Sequence, residues 1–229
     1  MIVAKWLYTS ACQWFQGQPA KPPLSSNEEI QRQLEELDRP GGGPSEEVPF
    51  WDDFAQGSFR DRHENAHHPK IELFNQAGQA VDLGCGIGLE TKYLLLKNWK
   101  VEAVDVSAKA LELLKSQAGS SENLKVVESS LEEFEFTCAP DLILAINVLG
   151  FCTPSKLKTI WERMHAALKP GGYVFCSLPL PGCGNFSKWV LSDDEITQFL
   201  LEGRFEKISD SISLDPYGDH PLVLILKKI

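Results

Sequence analysis

From position 80 onward, short and wholly apolar runs alternate with stretches in which apolar residues recur every three or four positions, so strands and helices are expected in turn. The pattern predicts strands at 80–83, 101–106, 124–128, 141–146 and 172–177, with helices at 88–98, 107–117 and 155–168. Such alternation is the mark of a parallel sheet. Beyond it a helix is predicted at 193–202, opened by Ser192, and two strands at 205–214 and 222–228, joined by the turn Asp215 to Asp219. Two successive strands with no helix between them pair antiparallel if they are neighbours, or sit apart with one reversed.

Upstream of residue 49 the pattern changes. Residues 16–48 are rich in Pro, Gly, Ser and Glu, which is linker composition. Within them Ser26-Asn-Glu-Glu29 has capping-box spacing ahead of Ile30, Leu34 and Leu37, and predicts one short helix. The expected organisation is an N-terminal arm and linker over 1–48 followed by a folded domain over 49–229. The apolar start, Met1 to Cys12, does not read as an export signal, because Lys5 lies inside it and the apolar run that follows is too short. An amphipathic arm that docks on this domain or pairs two copies fits it better. No window is apolar for long enough to span a membrane.

The most informative segment is Val81 to Gly88, Val-Asp-Leu-Gly-Cys-Gly-Ile-Gly, where a strand runs into a glycine-rich turn that opens a helix. Seventeen residues after Gly88 the next strand ends in Asp105, placed to accept hydrogen bonds from the hydroxyls of a ribose. An acidic residue followed by Gly-x-Gly-x-Gly, here Asp82, Gly84, Gly86 and Gly88, resembles the first motif of the class I S-adenosylmethionine-dependent methyltransferases. A dinucleotide oxidoreductase would want Gly or Ala at position 89, where Leu89 stands. The resemblance covers about 70–229. It implies an α/β fold, a Rossmann-like three-layer sandwich with a seven-stranded, mostly parallel sheet, whose last strand is reversed and sits apart from its predecessor.

The resemblance also assigns S-adenosyl-L-methionine as cofactor and distributes a site over four strand ends. The backbone amides of Cys85 to Gly88 would face the methionine part, with Asp82 ordering the turn. Asp105 would take the ribose, with Val106 and Ser107 beside the adenine; a helix N-cap is the alternative role for Asp105. After the third strand the family has an acidic residue followed by a backbone amide that meets the adenine edge. Ser130 and Leu131 stand there, and a serine in place of the acid leaves the adenine amino contact to Glu128, Glu132 or neither. Asn147, at the end of the fourth strand, is the polar candidate beside the sulfonium, with turn formation as its alternative. Leu168-Lys-Pro-Gly-Gly-Tyr173 resembles the family's sharp turn before the fifth strand.

Three segments would overhang the acceptor side: 50–68, 179–189 and the turn with Tyr217 and His220. In the first, Trp51, Phe54, Phe59, Arg60 and His63 are candidates to close over the donor, Arg60 facing its carboxylate; a packing helix explains the same residues. His220 is a candidate base and His165 a core-edge residue. The five histidines form no recognised metal set, so no metal is assigned.

Composition narrows the acceptor. The formal charge of −10 disfavours a nucleic-acid backbone as partner, and 43% apolar content suffices for one sizeable core. The six cysteines lack paired Cys-x-x-Cys spacing, so free thiols in a reducing cytoplasm are expected. The sequence thus predicts a cytoplasmic methyltransferase acting on a small-molecule acceptor, and its compact core and Pro/Gly-rich loop resemble the branch that includes the tellurite-resistance and thiol methyltransferases. A protein or RNA methyltransferase that grips its target with the arm, and a non-enzymatic donor-binding domain, are the alternatives.

Overall fold

The computed structural model describes residues 52, 71, 74, 76–152, 154–178, 204–212 and 222–229. In chain order these form β1 (Gln79–Leu83), α1 (Leu89–Leu96), β2 (Lys100–Asp105), α2 (Ala108–Ala118), β3 (Leu124–Glu128), β4 (Leu142–Ala145), α3 (Pro154–Ala167), β5 (Tyr173–Leu178), β6 (Phe205–Ile212) and β7 (Leu222–Lys228). The seven strands make one sheet in the order β3-β2-β1-β4-β5-β7-β6. β1 pairs in parallel with β2 and β4, and β2 with β3 and β4 with β5 do the same. The reversed last strand is present, since β7 is antiparallel to β5 and β6. Its expected separation from the preceding strand is wrong: β6 and β7 are neighbours, because β7 is inserted between β5 and β6 and hydrogen-bonds to both.

The sheet is apolar on both faces, as a covered parallel sheet must be. Val81, Leu83, Ile143 and Ala145 point to one side, where they meet Leu157, Trp161 and Met164 of α3. Their neighbours Ala80, Leu142 and Leu144 point to the other, with Leu94 of α1, and Ala103 of β2 meets Leu111 and Leu114 of α2. Helices therefore cover both faces, and three layers result. Trp161 and Phe175 are among the largest fully buried side chains, each worth roughly 1.5–3 kcal/mol of burial on the aliphatic and aromatic scale.

α2 begins where Ser107 caps it, its hydroxyl accepting the Ala110 N–H at 3.1 Å. At the far end of α3 the ammonium of Lys228 donates to the carbonyls of His165 and Leu168, both at 2.7 Å, and so occupies acceptors a helix end leaves free. His165 sits edge-on to Phe205 of β6, ring centres 5.1 Å apart, which is the core-edge role expected of it. Sequence-based boundaries are off by a residue or two at most described termini, and the 3-10 turn Leu149–Phe151 after β4 was not foreseen. The arm, the linker helix, the helix expected at 193–202 and the joining turn at 215–219 lie outside the described residues. No helix is long and apolar enough to cross a membrane among the described residues.

Candidate cofactor site

The carboxyl ends of β1, β2, β3 and β4 lie side by side in the sheet, and in an open α/β sheet this edge is where ligands bind. Hydrogen bonds tie these ends together. The Gly86 N–H donates to Asp105 Oδ2 at 2.7 Å and the Ser107 N–H to Asp105 Oδ1 at 2.9 Å. The Ser129 N–H, just past β3, donates to the Asp105 carbonyl at 3.0 Å. Asp105 is thus the knot between the glycine turn, β2 and the loop after β3. It does not cap α2; Ser107 does.

Each carboxylate oxygen of Asp105 has more than one lone pair, so acceptor capacity is left for two hydroxyls after the two amides are counted. Burial pushes its pKa above the ordinary carboxylate value, opposed by the amides of Ser107, Gly86 and Val106, while the charge of Asp52 adds to the rise. Asp52 is near because its carboxylate accepts the Ser107 hydroxyl at 2.6 Å, a contact the sequence did not announce.

The three glycines of the turn all have positive φ, but a side chain would meet different surroundings at each. A Cβ on Gly84 would lie 2.2 Å from Val148 Cγ2, and one on Gly88 would lie 2.3 Å from Leu114 Cδ1. At Gly86 a Cβ would meet nothing within 4 Å among the described residues. Gly84 and Gly88 are therefore packing glycines, and Gly86 is the one that leaves open space in which a ligand can lie. The amides behave less simply than expected. Cys85 N–H donates to the Val104 carbonyl at 3.0 Å, Gly88 N–H to the Cys85 carbonyl at 2.8 Å, and Gly86 N–H to Asp105. Three of the four amides expected to face the methionine part are thus used within the protein, because a turn this tight satisfies its own donors. The Cys85 thiol is buried, and burial holds its pKa well above the ordinary value, so it is a neutral packing group.

Asp82 lies beneath the turn, 3% exposed, and accepts the Thr91 hydroxyl at 2.5 Å. It fastens β1 to the first turn of α1. Burial, and after it the charge of Glu90, pushes its pKa up to about 8.

Asn147, two residues beyond β4, has φ 53°, a left-handed conformation that asparagine tolerates. Its turn is held by Ser177 at the end of β5. The Ser177 hydroxyl accepts the Asn147 N–H at 2.6 Å and donates to Asn147 Oδ1 at 2.9 Å. With Oδ1 engaged and the residue exposed, the amide NH2 faces away from Ser177. Ser177 itself is 2% exposed and was not foreseen; a hydroxyl at the end of the apolar run from Tyr173 was its one signal.

After β3, Ser130 accepts the Glu133 N–H at 3.2 Å and its carbonyl accepts the Phe134 N–H at 3.0 Å, so it caps a single turn that contains Leu131. Glu128 is exposed, and Arg163 holds the backbone carbonyl of Glu132. Val106 is half-buried beside Asp105. Arg60 and His220, with Trp51, Phe54, Phe59, His63 and Tyr217, lie outside the described residues. No group of three metal-ligating side chains is found among the described residues.

The seven-stranded, mostly parallel sheet, the glycine turn and the acid at the end of β2 agree with the class I S-adenosylmethionine-dependent methyltransferases. Residues 80–172 match the methyltransferase domain family. A curated relative, the tRNA N(3)-methylcytidine methyltransferase Mettl2 of Drosophila melanogaster, is 27% identical over 185 residues, which are 71% of this chain and 56% of the relative. Among solved structures, the 1,6-didemethyltoxoflavin-N1-methyltransferase of Burkholderia thailandensis, bound to 1,6-didemethyltoxoflavin and S-adenosylhomocysteine, superposes with TM-score 0.64 at 22% identity, covering 92% of this chain and 93% of that one. TehB from Haemophilus influenzae gives TM-score 0.62 at 15% identity over 78% of this chain and 66% of its own. The chain spans about half the length of the curated relatives it matches.

Proposed function

We propose that the protein transfers the methyl group of S-adenosyl-L-methionine to a small-molecule acceptor. The observation that carries the donor half is Asp105, whose carboxylate sits at the sheet's carboxyl edge, bound to Gly86 where the turn is open, with lone pairs left for a ribose diol. The sulfonium of the donor supplies leaving-group activation: the acceptor lone pair bonds to the methyl carbon as the C–S pair returns to sulfur. What the protein adds is alignment and the exclusion of water. Asn147, oriented by Ser177, presents its amide NH2 at the end of β4 and is the candidate to hold an acceptor by a lone pair. Arg60 and His220 stand as candidates for the donor carboxylate and for a base.

The acidic surface supports a small acceptor over a polynucleotide, whose phosphates need a basic stripe. The relative named for tRNA methylation, which matches 71% of this chain, favours the second reading of an RNA acceptor. Calorimetric titration with S-adenosylmethionine and S-adenosylhomocysteine, with NAD as control, tests the donor. Micromolar binding that Asp105→Ala weakens at least tenfold, with none for NAD, is the expected result; no binding by the unsubstituted protein would sink the reading. Transfer of labelled methyl to tRNA, lost on deleting residues 1–48 while donor binding survives, would replace the small acceptor with RNA.

A further inference from the structure

At the carboxyl edge of the sheet, Asn147 presents a polar side chain beside the glycine turn. β4 lies next to β1 with Leu144 level with Asp82, and a Cβ on Gly84 would lie 2.2 Å from Val148 Cγ2. The residues after β4 therefore pack directly on the turn that Gly86 leaves open, and Asn147 is exposed there.

Which way its amide faces is decided by Ser177. The buried hydroxyl has one proton to give; a lone pair accepts the Asn147 N–H at 2.6 Å, and the proton goes to Asn147 Oδ1 at 2.9 Å. Turned over, the amide would set its NH2 against the hydroxyl, whose proton would be buried with no acceptor among the described residues. That arrangement is disfavoured about ten- to a hundredfold. Asn147 thus offers a ligand hydrogen-bond donors and no acceptor. It is the wrong partner for an amine or alcohol, whose own hydrogen needs an acceptor, and the right one for a nucleophile that has already lost its proton.

A donor with its ribose at Asp105 and its methionine part along the turn carries the sulfonium over β1, one strand from β4. The positive charge attracts an oxyanion. In a carboxylate the charge is shared by two oxygens, so one accepts from Asn147 while the other attacks. The attacking lone pair bonds to the methyl carbon and the C–S pair returns to sulfur, giving a methyl ester and a neutral thioether. No proton has to leave.

We propose that the acceptor is a carboxylate, and that Ser177 is a positioning residue that sets this preference by fixing the amide of Asn147. This rests on the methyl-donor reading above. The test is transfer of labelled methyl from S-adenosylmethionine to matched pairs, benzoate with aniline, phenylacetate with benzylamine and hexanoate with hexylamine. It compares the unsubstituted protein, Asn147→Asp and Ser177→Ala, with thermal melting and S-adenosylhomocysteine affinity for each. The unsubstituted protein should prefer a carboxylate to its paired amine at least about tenfold in kcat/KM, the equivalent of one good hydrogen bond, and alkali should release the label as methanol. Asn147→Asp keeps the size and the bond from Ser177 but presents an oxygen. It should lose about a hundredfold on the carboxylate, with S-adenosylhomocysteine affinity within about twofold. Ser177→Ala, which frees the amide to turn, should narrow the preference about tenfold. Preference for amines, no transfer to any member of the pairs, or carboxylate transfer that survives Asn147→Asp overturns the proposal. So does an unchanged preference in Ser177→Ala; if that variant does not melt cooperatively, Ser177→Cys, close in size and a weak donor, is read in its place. These outcomes leave the donor reading intact, whereas no binding of S-adenosylhomocysteine by the unsubstituted protein removes both.

Discussion

Asp82 is a carboxyl group that burial keeps protonated into the neutral range, its pKa pushed up to about 8 from an ordinary 3.8. A raised folded-state pKa means the folded protein keeps a proton that the unfolded chain releases. Its contribution is fully present below the unfolded value and is lost as pH rises through the folded one. Asp82→Asn keeps an acceptor for Thr91 but cannot ionise. Relative to that variant, the native protein should lose stability between about pH 4 and pH 8, by at most about 1.4 kcal/mol per unit, and level off above. Urea melts of both proteins across that range check it; parallel curves would show that Asp82 is ionised throughout. The position of Asp82 was legible because the motif is local, as was that of Asp105, one strand away. Ser177 and Arg163 were not legible. They act on residues 30 and 31 to 32 positions distant, and those distances close only once the register of β4 on β5 and the packing of α3 are set.

α3 shows how an element depends on one far along the chain. Its C-terminal carbonyls are occupied by Lys228 of β7, some 60 residues on. Replacing Lys228 with Met keeps the apolar stem and removes the donors, and should cost about 1–3 kcal/mol, as expected for a charged group bonded to carbonyls. A shift in denaturation midpoint without a change in slope would record it, and no shift would show that water replaces the ammonium at no loss. The strands and helices of the first half were readable because each is a short apolar run or a 3.6-residue pattern bounded by turn residues. The placement of β7 was not, since its run Leu-Val-Leu-Ile-Leu suits any strand buried on both faces. Only pairing with β5 on one side and β6 on the other defines its place.

Across the whole molecule, the two ends of the sheet are built differently. β3 and its loop face the cofactor edge, while β6 closes the opposite side with a register shift between Lys207 and Ser209, a bulge of the kind that discourages further strand addition. β7 is the strand on which that side depends. Deleting residues 222–229 strips β5 and β6 of their shared partner, and the truncated chain should lose cooperative thermal unfolding and aggregate; a cooperative melt from it would mean that β5 and β6 can pair directly.

The order in which the strands are made differs from the order in which they can be used. β6 leaves the ribosome before β7, yet in the finished sheet its neighbour is β7, so a nascent chain carries it without a place to dock. Until residues 222–228 emerge, the open edge of β5 is exposed to any passing strand. Synthesis of the seven-residue strand β7 is therefore the step that supplies both β5 and β6 with their shared hydrogen-bonding partner.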